Sequence, residues 1–193
     1  DLWLELGDRR ELFVDYKLID RLLQTRLKLH EPRPAEVAIR IDRPWEGPFN
    51  GGCCVFEYEG LYRMYYRGSG VVYKENGYAS AHAETACYAE SEDGIHWTKP
   101  ELGLFEFEGS KKNNIIWIGL GSHNFAPFLD ANPDCPPEQR FKALAGDYNK
   151  GLRAFVSADG VRFTPVQQKP VIAKGAFDSL NLAFWDTRVG LYR

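Results

Sequence analysis

Two seven-residue segments carry a hydroxyl, a carboxylate and a glycine in the same order: Ser91 to Trp97 (SEDGIHW) and Ser157 to Phe163 (SADGVRF), both of the form S-x-D-G-x-x-[WF]. A carboxylate so placed could serve as an acid or a base. Its neighbours point elsewhere. An Asp accepts backbone N–H bonds across a turn, a Ser two residues earlier adds a second local bond, and Gly tolerates positive φ. The expected role of Asp93 and Asp159 is therefore to hold a hairpin, with Trp97 or Phe163 packed between neighbouring sheets. The four cysteines (Cys53, Cys54, Cys87, Cys135) form no C-x-x-C pair and lack grouped histidines, so no metal site is expected from them. Three of them lie in apolar runs and read as small buried hydrophobes. A Cys54–Cys87 disulfide stays open if the protein is exported. Arg67 follows Tyr62, Tyr65 and Tyr66 along one run. Its planar fork suits a carboxylate, either that of an acidic sugar or that of Glu84 or Glu90 within the fold.

Composition narrows the classes. The 193 residues are 44% apolar and 14% aromatic, enough to bury a core, which excludes a disordered or fibrous chain. With 24 basic and 27 acidic residues the formal charge is −3, with no basic stripe to attract phosphate backbones. No nucleic-acid partner is expected. No apolar run reaches the ~18–20 residues of a membrane span. Phosphate-loop, dinucleotide and Ser-His-Asp signatures are absent.

The elements that must position these residues are strands. Only residues 17–29 (KLIDRLLQTRLKL) carry a helical stripe, with Leu18, Ile19, Leu22 and Leu23 on one side. Elsewhere the runs are short, rich in Val, Phe, Tyr and Trp, and bounded by Gly, Asp, Asn and Pro. VFEYEGLYRMYYRG (55–68) reads as a hairpin turning at Glu59-Gly60, and TACYAESEDGIHWTKP (85–100) as a second one turning at Glu92-Asp93-Gly94. The S-x-D-G-x-x-[WF] pattern recurs after 66 residues, and GLYR at 60–63 recurs at 190–193 after 130, close to twice that spacing. Such a period indicates an array of one supersecondary unit. Four short antiparallel strands recurring about an axis make a propeller blade. The expectation is an all-β chain: an N-terminal segment over 1–44 with a strand that could close a ring, then a partial β-propeller over 45–193. Blade one spans about 50–100, blade two about 123–165, and blade three starts near 180.

These turns, the ~65-residue repeat and the G-x-Y-x-[ML]-Y-Y hairpin resemble the five-bladed β-propellers of glycoside hydrolase families 32 and 43, in a bacterial branch carrying NFAPFLDANPDCPPEQRFKALAG and GAFDSLNLAFWD. The S-x-D-G-x-x-W turn also resembles the Asp box of sialidases, one residue short. The family resemblance implies glycosidic-bond hydrolysis by carboxylates in a pocket on the propeller axis, near the starts of the innermost strands. Glu46-Gly47-Pro48 resembles the segment carrying the family's general acid, and Trp45 and Phe49 would partly desolvate Glu46. Asp178 is similar to the aspartate that orients that acid and tunes its pKa, with Asn181 beside it as a hydroxyl ligand. His123 and Asn124, before FAPFLD, would bond sugar hydroxyls, and Trp45, Asn50 and Arg67 complete the expected substrate contacts. The family's first blade starts with an Asp serving as base or nucleophile, where this chain reads Phe49-Asn50-Gly51. Asn cannot deprotonate water.

The expected function is thus a carbohydrate-active protein, a glycoside hydrolase by preference, acting on an oligosaccharide or polysaccharide. A glycan-binding or scaffold propeller without catalysis is one alternative. A sialidase-like propeller, which needs an arginine cluster, is another. No cofactor is expected; some relatives hold calcium in the channel, but no D-x-D-x-D loop is present. A secreted or periplasmic setting is favoured over others, with compartment otherwise open. At ~65 residues per blade the length covers about two and a half blades, whereas closed propellers need at least four. The expectation is a piece of a longer propeller, or a chain whose ring is completed by a complementary chain or by self-association.

Overall fold

The computed structural model describes residues 5–8, 10–147 and 150–193. Two units separate: one up to Glu36, the other Val37–Arg193. Among the described residues before Glu36 there is neither helix nor strand, so the stripe at 17–29 does not coil. Gln24 sits at φ 53, a left-handed conformation that interrupts a helix, and a lone segment this short gains little from its own hydrogen bonds. No strand precedes Cys53 among the described residues.

The second unit is all-β. Its first strands are β1 (Cys53–Tyr58) and β2 (Leu61–Gly68), joined at Glu59 (φ 54) and Gly60 (φ 78). Two consecutive left-handed residues make the turn whose twist matches that of the flanking strands. After a small hairpin of β3 (Val71–Lys74) and β4 (Gly77–Ser80) come β5 (Thr85–Ser91) and β6 (Ile115–Ile118), completing an antiparallel sheet in the order β1-β2-β5-β6. The second sheet holds β7 (Ala126–Leu129), β8 (Phe141–Asp147), β9 (Gly151–Ser157) and β10 (Thr164–Pro165), again as neighbours in chain order. A two-stranded ribbon follows, β11 (Trp185–Asp186) with β12 (Leu191–Tyr192). Two four-stranded meanders and the start of a third are successive propeller blades.

The two sheets share a core of Cys54, Tyr65, Tyr88, Ile116, Phe125, Phe141, Phe155 and Phe163. The second S-x-D-G turn docks against the first sheet. Tyr65 Oη donates to the Gly160 carbonyl at 3.0 Å, and Arg63 Nη1 to the Asp159 carbonyl at 2.7 Å. Gly160 (φ 75) is required there, since a Cβ would lie 2.9 Å from Tyr65 Oη and 3.0 Å from Arg63 Nη1.

Two expectations need correcting. The fourth strand of the first sheet is Ile115–Ile118, not the limb after the Asp93 turn, so this sheet runs to 118 rather than about 100. That limb bridges only Glu90 to Thr98 before Pro100, which has no N–H to extend the ladder. The Cys54–Cys87 disulfide is excluded by register. Cys54 stands opposite Tyr65, itself opposite Tyr88, whereas Cys87 stands opposite Tyr66, so the two thiols occupy opposite faces of the sheet. All four cysteines are free, and burial pushes the Cys54 and Cys87 thiols up to about 11 and about 12. No helix among the described residues is long and apolar enough to cross a membrane.

Candidate functional site

The end of β2, the start of β5, the 3₁₀ turn Ser122–Asn124 before β7 and the loop 175–181 converge on two adjoining cavities. The larger, about 500 Å³, is lined by Gly51, Gly52, Arg67, His123, Asn124, Asp178, Ser179 and Leu180. The smaller, about 250 Å³, is lined by Glu84, His123, Gly146, Asp147, Phe177 and Asp178. His123 and Asp178 belong to both walls.

Arg67 is the penultimate residue of β2, where the strand runs out and its side chain turns into the cavity. Its Nε donates to the Phe49 carbonyl at 2.9 Å, and Nη1 lies 2.9–3.0 Å from the His123 ring nitrogens and 3.9 Å from Glu84 Oε1. His123 Nδ1 lies 3.0 Å from Glu84 Oε2. A guanidinium only donates and a carboxylate only accepts. An Nδ1–H donated to Glu84 leaves Nε2 to accept from Arg67, the tautomer that satisfies both neighbours.

Asp178 differs from every other carboxylate here. It is exposed, and its carboxylate has no partner among the described residues. The loop that carries it is held from behind. Buried Asn124 accepts the Gly146 N–H through Oδ1 at 2.8 Å and donates through Nδ2 to the carbonyls of Phe177 (2.6 Å) and Ser179 (3.2 Å). Phe177 sits at φ 47, a left-handed conformation costly for a bulky side chain.

The other residues singled out from the sequence lie elsewhere. Glu46 is fully buried and lines neither cavity. Its Oε2 accepts the backbone N–H groups of Asp42 and Arg43 and the Lys99 ammonium, each at 2.8 Å, and its Oε1 accepts Tyr66 Oη at 2.6 Å. A general acid must reach a leaving oxygen; Glu46 has no opening to one, so the chemistry expected of it finds no path. Trp45 donates its indole N–H to Asn114 Oδ1 at 2.7 Å, within the same buried network. Asn50 and Asn181 line neither cavity, and Asn181 Nδ2 donates to the Ser179 carbonyl at 2.8 Å. Of the expected set, Arg67, His123, Asn124 and Asp178 come together. Glu84, Asp147 and Ser179 join them without having been proposed as site residues. Glu84 was legible only as an ion-pair partner for Arg67, and Asp147 only as a carboxylate at a strand end. Among the described residues no group of three or more His, Cys, Asp or Glu side chains could hold a metal ion.

No family model matches the chain. No curated protein matches it. A solved structure, described by the statement that the GH130 family of mannoside phosphorylases contains glycoside hydrolases that target β-1,2 mannosidic linkages in Candida mannan, matches it at 20% identity and a TM-score of 0.42. The match covers 75% of this chain and 40% of that one. So low a likeness carries no chemistry from one to the other.

Proposed function

We propose that this chain forms part of a carbohydrate-active protein that cleaves glycosidic bonds at the cavities flanking Asp178. The observation that carries the reading is a carboxylate without a partner among the described residues, standing in the wall shared by two cavities with Arg67, His123 and Ser179 as hydrogen-bond groups for hydroxyls. The motif resemblance that singled out Asp178 supports it independently. Glycoside cleavage needs one carboxyl to protonate the leaving oxygen and a second carboxylate to activate water or attack the anomeric carbon. Asp147, paired among the described residues only loosely with exposed Lys150 at 3.7 Å, is the second group this reading assigns. Glu84 is committed to His123 and Arg67 and orients them instead.

A second reading, glycan binding without turnover, is favoured by Asn50, which stands where the resemblance places an aspartate. The sialidase-like alternative needs several arginines, and Arg67 is the one arginine lining the larger cavity. The test is an array of chromogenic glycosides with wild type, Asp178→Asn and Asp147→Asn. Loss of about 10²–10⁴-fold in turnover with Asp178→Asn supports the assignment. Unchanged turnover removes Asp178 from the chemistry, and glycan binding without turnover by wild type supports the second reading.

A further inference from the structure

We infer that Asn124 is a positioning residue, a clamp whose side-chain amide sets where the Asp178 carboxylate stands; its catalytic consequence rests on the reading of Asp178 above. The amide spends both ends on backbone. Oδ1 takes the Gly146 N–H at the end of β8, and Nδ2 gives to the carbonyls on either side of Asp178, those of Phe177 and Ser179. The partners are 22, 53 and 55 residues away in the chain, so one buried side chain ties the second sheet to the loop. An amide suits this because its oxygen accepts while its NH2 carries two hydrogens, one for each carbonyl. A hydroxyl is too short to reach both carbonyls, and a carboxylate would face them with no hydrogen to give.

Three further observations agree. Asn124 is 2% exposed, and its polar atoms are turned to the backbone rather than offered to a sugar, although the sequence suggested a hydroxyl ligand. Phe177 is held at φ 47, a conformation that persists only where neighbours over-determine it. Gly175 leaves room for the Phe177 ring, since a Cβ there would lie 2.4 Å from Phe177 Cζ. The adjacent His123 reaches the first sheet through Arg67 and Glu84. Two consecutive residues of one 3₁₀ turn therefore set the relative places of the guanidinium, the imidazole and the free carboxylate.

The experiment combines amide hydrogen exchange with glycoside kinetics on wild type and Asn124→Ala. Loss of the clamp is expected to speed exchange of the Gly146 amide, whose N–H Asn124 Oδ1 accepts, about tenfold while amides of β1, β2 and β9 keep their protection. On a glycoside that wild type turns over, kcat is expected to fall about ten- to a hundredfold with KM within about twofold, because the carboxylate is displaced while Arg67 and His123 stay. Should Asn124→Ala not fold, Asn124→Ser, which keeps a small polar group near the Gly146 N–H, takes its place. Exchange at Gly146 equal to wild type overturns the clamp. Faster exchange with unchanged kcat overturns its role in positioning. Absence of turnover in wild type overturns the glycosidase reading alone, and the exchange result then decides the clamp.

Discussion

Two carboxylates stand out in the sequence, Glu46 and Asp178, and the structure treats them in opposite ways. Glu46 is buried and accepts four hydrogen bonds, from two backbone N–H groups, a tyrosine and a lysine. Asp178 is exposed on two cavities and accepts none from the described residues. Burial of a charge is tolerated only when its lone pairs are filled. Filling them makes the group a rivet: Glu46 pins the 42–46 turn to β2 and to Lys99. The free carboxylate costs little because water solvates it, and it stays available to a ligand. Residue type and flanking aromatics do not distinguish a rivet from a reagent; the partners do.

The contrast breaks first at Glu46. Glu46→Ala takes the acceptor of the Tyr66 hydroxyl and one of three from the largely buried Lys99 ammonium, which keeps the Arg40 carbonyl and the Asp42 carboxylate, and is expected to cost about 2–3 kcal/mol in urea unfolding. A cost below about 1 kcal/mol would return Glu46 to the pool of free carboxylates. Gly160→Ala comes next. It drives a Cβ into Tyr65 and Arg63 at positive φ, and is expected to cost about 1–3 kcal/mol by loosening the second turn from the first sheet.

The turn aspartates form an intermediate class, filled by local rather than distant donors. Partial burial pushes the Asp159 carboxyl up, but the N–H groups of Arg162 and Val161, the Arg162 guanidinium and Ser157 outweigh it and hold it down at about 2. Asp93 is lowered likewise, first by the His96 side chain and then by the His96 and Ile95 N–H groups. A depressed carboxyl stabilises the fold above its unfolded value near 4, and that contribution disappears as pH falls through the folded value. Melting temperature is therefore expected to drop between about pH 4 and pH 2. Asp159→Asn should flatten part of that drop. Its effect at neutral pH is under about 1 kcal/mol, because the side chain is 41% exposed and solvent screens it. The smallest effect closes the series: Asp178→Asn should change stability by less than about 0.5 kcal/mol, as befits a group that holds nothing.

What the sequence reveals follows the range of the interactions. The β1–β2 hairpin is readable because Glu59-Gly60 and the strands it joins are contiguous. Both S-x-D-G turns are readable because Ser, Asp and the N–H groups that donate to them lie within five residues of one another, and the two copies repeat the same bonds to within 0.1 Å. The return limb of the first hairpin is a different matter. Whether Thr98 or Ile115 starts the fourth strand depends on Pro100 and on what fills the space between, and neither is periodic. The site shows the same limit. Asp178 and His123 were visible as residue types at strand starts, but the clamp beside Asp178 spans 53 residues from Asn124 to Phe177, and the ammonium that closes off Glu46 is 53 residues away too. Long-range partners assigned the roles.

Carbodiimide labelling of the native protein with an amine nucleophile, read peptide by peptide, tests the open and closed carboxylates most directly. Asp178 is expected to label readily in the folded protein while Glu46 labels only after unfolding. Native labelling of Glu46 at the rate of Asp178, or protection of Asp178, would contradict it.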